Sequence, residues 1–346
     1  MSQSDVTRGG IEGRRRDREA RVWESGGRRR RGEQLMVPKA EFSSYYGRPI
    51  VKKPVWAERD IAGYLFTGGI AAGSAVIGAG ADLSDRPALR HVARLGSLAA
   101  LGISGIALVH DLGVPSRFHH MLRVAKPTSP MSVGTWILTA FGLPTGLAAA
   151  AELPGLLPPF LRGLVSDLSR PAGIASALVA PGVATYTAVL LADTSVPSWH
   201  EAWPELPFVF AGSALSGSAG LALALTPSAE TGPVRRLAVL GSTLELAASQ
   251  RIEHRLGLLG EPYKEGKAGK KMRLARKLTL AGAVTAAVLG RRSRVAAVAS
   301  GAALFAASAL TRFAIFEAGV ASTEDPKYVV VPQRERLQRR TSVTPS

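Results

Sequence analysis

Six side chains in this sequence are of the types that bind a polar ligand and manage its protons: Asp60, Tyr64, His110, Asp111, Arg117 and Glu245. Asp60 and Tyr64 lie one helical turn apart, so on a helix they share a face. His110 and Asp111 are adjacent, and Arg117 follows six residues after Asp111. Such a cluster can hydrogen-bond a carbonyl and supply or accept protons. The same spacing allows a plain ion pair between Asp111 and Arg117 that fixes a loop, and spacing alone leaves both readings open. Glu245 stands apart as the mid-span charge that the reading picks out. An acid there is costly, which makes it a proton-relay candidate or a neutral carboxyl bonded to another helix.

The elements that must position these groups are apolar. Blocks of Ala, Leu, Val, Gly and Ile alternate with charged segments across the 346 residues, and about 20 apolar residues let a helix cross a hydrocarbon core of about 30 Å. Eight spans are predicted: Ile61–Ala81, Val92–Leu112, Met131–Ala151, Pro171–Ala192, Leu206–Ala229, Val234–Gln250, Leu274–Gly290 and Val295–Phe316. The fold class is therefore all-α and polytopic. Gly69 and Gly73 in the first span, and Gly212, Ser216 and Gly220 in the fifth, predict close helix contacts. The glycines of the first span make a poor dinucleotide loop, because no strand pattern precedes them. Trp56, Trp136, Trp199 and Trp203 lie near helix ends and read as an aromatic belt.

Residues 1–55 read as a basic, disordered tail, 56–320 as the membrane domain and 321–346 as a C-terminal tail. No apolar stretch follows the first basic residues as a signal peptide requires. The formal charge of +17 is read as loop asymmetry rather than as a nucleic-acid footprint. With eight spans, one membrane side holds about 32 of the 43 Lys and Arg residues and the other about 10. The segment 251–277 alone carries nine of them. Both termini, and the polar loop His110–Ser132, are expected in the cytoplasm, and the chain in the plasma (inner) membrane. The absence of cysteine excludes thiolate zinc sites and an iron–sulfur cluster carried by this chain. The six histidines lie in loops or at helix ends, a pattern that fits neither a b-type haem nor a metal site.

Five segments in order resemble one family. They are YLFTGGIAAGSA (Tyr64–Ala75), DLGVPSRFHHMLRVAKPTSPMSVGTW (Asp111–Trp136), WHEAWPELPFVFAGSALSGSAG (Trp199–Gly220), GEPYKEGKAGK (Gly260–Lys270) and FEAGVASTEDPKYVVVPQRER (Phe316–Arg336). The chain resembles the integral membrane subunit of the polysulfide reductase (NrfD) type over roughly residues 56–340. The resemblance implies two four-helix bundles without haem, a quinone (menaquinone or ubiquinone) bound near one membrane face, and two partners. These are a ferredoxin-like 4Fe-4S subunit and a molybdopterin catalytic subunit. It also implies quinone contacts at Asp60, Tyr64, Asp111 and Arg117, and His110, adjacent to Asp111 at the end of the second span, is counted with them. Val114 stands where a basic residue is expected before the proline, which alters the electrostatics of that loop, and no role beyond proton exchange is attached to His119 and His120.

The expected function is thus a quinone-interacting membrane anchor that passes electrons between the iron–sulfur subunit and the quinone pool, with no redox cofactor of its own. The alternatives are a transporter, which needs a polar path through broken helices at mid-depth, and a passive anchor without quinone chemistry.

Overall fold

The computed structural model describes residues 6–7, 10–11 and 50–343, with side chains over 50–338. Contacts divide the chain into residues 1–50 and 51–346. In the first unit, Val6–Thr7 (β1) and Gly10–Ile11 (β2) form a short antiparallel pair. The expected disorder of the tail otherwise falls outside the described residues over 1–49.

The second unit is helical. α1 (Glu58–Leu83), α2 (Pro87–His110), α3 (Pro130–Ala150) and α4 (Pro159–Ala192) form one four-helix bundle. After the short α5 (Pro197–Glu201), a second bundle follows. It consists of α6 (Leu206–Leu225), α7 (Gly232–Arg255), α9 (Gly266–Val288) and α10 (Arg294–Glu324), with the single turn α8 (Glu261–Lys264) between α7 and α9. α11 (Lys327–Val343) closes the described chain. Six of these helices (α1–α4, α6 and α10) are long and apolar enough to cross a membrane. α7 and α9 are also long, at about 36 and 34 Å, but Arg235, Arg236, Glu245 and the lysines and arginines of 267–277 dilute their apolar character. Eight helices thus run in two bundles, and the chain is a multi-pass membrane protein in contact with lipid.

Several helices overrun the predicted spans. α4 starts twelve residues before Pro171 and carries both Pro171 and Pro181 inside it. α10 continues two turns beyond Phe316 to Glu324.

α1 is the axis of the fold. Its most apolar stretch is 83 % buried, against 28 % for those of α2 and α3, because it packs on α2 and α4 of its own bundle and on α6 and α10 of the other. Small residues make that possible. A Cβ at Gly73 would lie 2.6 Å from the Ala214 carbonyl oxygen of α6, so the two backbones meet at a spacing that no larger residue permits. The outer helices instead present Ile103, Ile106, Leu143, Leu178 and Leu280, exposed in the bare protein and solvated by acyl chains in a bilayer.

Candidate functional site

α1 begins and α2 ends at the same membrane face, which we call the N-terminal face. That return brings Asp60 and His110 together: His110 Nδ1 lies 2.8 Å from Asp60 Oδ2. One hydrogen bond joins the imidazole to the carboxylate, the ring's tautomer deciding which atom donates. The neighbouring Asp111 does something different. Its Oδ1 accepts the backbone N–H of Ala57 at 3.0 Å, one of the donors that the first turn of α1 cannot satisfy internally.

The segment after His110 is a 3-10 helix, Pro115–Leu122, followed by a turn into α3. Together with α2 and α3 it encloses an apolar groove of about 680 Å³, lined among others by Ile106, Val109, Phe118, Met121 and Leu138, with His110 in its wall. Arg117 projects from the 3-10 helix into solvent, and among the described residues its guanidinium meets no carboxylate. The ion pair between Asp111 and Arg117 that spacing allowed is therefore not formed. His119 and His120 are exposed, with their rings edge to face at 4.4 Å. Tyr64 sits one turn below Asp60 and is buried in the apolar cluster that also holds Leu191, Trp199 and Phe210. Its hydroxyl is buried and has no partner among the described residues. An orphaned hydroxyl costs about 1–3 kcal/mol, and Tyr64 does not line the groove beside His110.

Glu245 is buried at the centre of the second bundle. Thr311 Oγ1 donates to its Oε1 at 2.7 Å and Ser216 Oγ to its Oε2 at 3.1 Å. It is not alone at that depth. Arg312, on the turn of α10 that also carries Thr311, is fully buried. Its guanidinium makes no ion pair with Glu245 within 4 Å among the described residues. One guanidinium nitrogen donates to the Phe210 carbonyl at 2.7 Å, the group stacks 3.7 Å over the Phe210 ring, and two nitrogens have no partner among the described residues. A second mid-span ionisable group thus lies inside the run Val295–Phe316 that sequence reading treated as apolar. Among the described residues no His/Asp/Glu group is gathered as metal ligands would be.

The family model described as Polysulphide reductase, NrfD matches residues 51–230, just over half of the 346 residues. The chain belongs to the NrfD family. Among curated proteins none matches. The matched segment holds Asp60, Tyr64, His110, Asp111 and Arg117, whereas Glu245 and Arg312 lie beyond it.

Two features of this NrfD-family chain escaped sequence reasoning. At the face opposite the Asp60–His110 pair, Arg94 is buried among all four helices of the first bundle. It reaches Glu152 Oε1 at 3.0 Å, Asp82 Oδ2 at 3.2 Å and Ser169 Oγ at 2.9 Å. Arg90 bridges the same two acids, and His91 Nδ1 lies 3.2 Å from Glu152 Oε2. The predicted spans ended at Ala81 and Ala151, one residue short of each acid. The second is Trp199, which sequence position assigned to the aromatic belt. It is fully buried, donates its indole N–H to the Ile315 carbonyl at 2.7 Å and stacks with Trp56. Trp136 and Trp203 are exposed, as a belt requires.

Proposed function

We propose that this chain is the quinone-interacting membrane subunit of an iron–sulfur/molybdopterin oxidoreductase complex, handing electrons between a ferredoxin-like 4Fe-4S subunit and the menaquinone or ubiquinone pool. The observation that carries this reading is the apolar groove of about 680 Å³ whose wall includes His110, itself bonded to Asp60. A bound quinone supplies a two-electron, two-proton couple to such a site. The groove takes an apolar tail, and His110 and Asp60 hold and move a proton at the depth where the helices end. Asp111 positions them by anchoring the start of α1. Arg117 stands at the mouth where a head group or the partner subunit passes, and Glu245 serves as a proton relay. The excess of Lys and Arg on the N-terminal face supports a cytoplasmic location for both termini and for the docked partners.

The test is quinone content and quinone-analogue turnover in the purified complex. Asp60→Asn and His110→Gln are each expected to lower turnover by tenfold or more while subunit composition is unchanged. Full turnover in both variants removes the pair from the site, and a wild-type complex that neither contains nor turns over quinone leaves a passive anchor.

A further inference from the structure

The outer surface of the second bundle carries a groove that the proposed quinone chemistry does not use. It runs between α7 and α9, encloses about 910 Å³, and is walled by Val239, Leu240, Leu244 and Ala247 of α7 with Ala287 of α9. From Gly232 to Ala247 it follows α7 for about 22 Å, more than half of a hydrocarbon core about 30 Å thick. That length and that lining suit an acyl chain.

The end of this groove at the face where α7 begins is basic. Arg235 and Arg236 line it. The Arg235 side chain lies over Gly290, where an added Cβ would come within 3.2 Å of its Cδ. Arg291 and Arg292 follow directly and are exposed. Among the described residues, none of these four arginines has a carboxylate partner. The nearest acid in sequence, Glu230, is engaged elsewhere, accepting the Leu89 backbone N–H at 2.9 Å. One guanidinium nitrogen of Arg235, Nη1, is buried without any hydrogen-bond partner. A neutral isoprenoid tail would fill the apolar part and leave that donor unpaired, whereas a phosphate oxygen satisfies it with a charge-assisted bond.

We propose that the α7–α9 groove is a binding site for an anionic phospholipid, its acyl chain along Leu240 and Leu244 and its phosphate on Arg235 and Arg236. Basic pockets between membrane helices hold anionic head groups by this combination of fixed charge and chain burial. The site is independent of the quinone reading and stands or falls without it.

The full chain in its complex, delipidated in detergent and titrated with phosphatidylglycerol or phosphatidylcholine, is read by native mass spectrometry. Phosphatidylglycerol is expected to be retained in preference to phosphatidylcholine. R235Q/R236Q is expected to weaken that retention roughly thirty-fold. Leu240→Trp, at an exposed position, fills the groove and is expected to abolish retention with both arginines in place. Arg162→Gln, on the same face but on α4, is expected to retain the lipid like wild type. Equal retention of both lipids, unchanged retention in R235Q/R236Q, or recovery of a quinone that Leu240→Trp displaces each overturns the proposal.

Discussion

The Asp60–His110 pair and the buried residues Glu245 and Arg312 show how differently two charged sites can be written in one sequence. Asp60 and His110 flank the first hairpin at its open end, so a count of helix lengths already places them at one face. Arg312 was harder to see. A span ending at Phe316 leaves it one turn from the end, where an arginine reaches the interface with its long stem. α10 runs on to Glu324, and that extension turns an interfacial residue into a buried one. Glu245 accepts from the buried hydroxyls of Thr311 and Ser216, and losing it leaves both donors unpaired. Glu245→Leu is therefore expected to destabilise the protein by about 3 kcal/mol, seen as a lower Tm in detergent. Glu245→Gln, which keeps hydrogen-bonding atoms for Thr311 and Ser216, is expected to lose less. A Glu245→Leu protein as stable as wild type would show that these two hydrogen bonds are not a structural necessity.

Among the helices, patterning gave the eight helices of the two four-helix bundles and the small-residue contacts, because both depend only on local composition, although six rather than eight of the helices are apolar enough to count as spans. Helix ends were less legible: Pro171 looked like a start and is an interior residue of α4. The packing of α1 against α6 makes a sharp comparison within one helix. Gly73→Ala puts a methyl group against the Ala214 carbonyl and is expected to cost about 1–3 kcal/mol. Gly80→Ala, which meets nothing within 4 Å, is expected to be neutral or to gain up to about 1 kcal/mol of helix propensity. Thermal unfolding of the two variants side by side checks this, and equal Tm values would contradict the tight α1–α6 approach. The same reasoning explains Trp199. Its place beside a helix end suggested lipid contact, but Gly319 of α10 opens a slot that a Cβ would fill, and the indole occupies it.

At the scale of the whole molecule, the connection between the bundles is pinned by charge. Glu205, at the start of α6, accepts hydrogen bonds from Arg255 at 2.7 Å and from Arg251 at 3.3 Å at the end of α7. Burial pushes its carboxyl up, and the two arginines outweigh that and hold it below the usual range. A carboxylate whose pKa is depressed by folding adds stability that is complete above its unfolded value, about 4.3, and is lost as pH falls through its folded value. Wild type is therefore expected to lose Tm more steeply than Glu205→Gln between about pH 5 and pH 3, the two curves converging in acid; parallel curves would remove Glu205 from the account. Arg94 has a consequence for biogenesis. Its shelter comes from Asp82, Glu152 and Ser169, and the last of these reaches the bilayer only when α4 does. Until then a guanidinium two turns inside α2 has no complete partner set, so the first bundle shelters that charge only when all four of its helices are present.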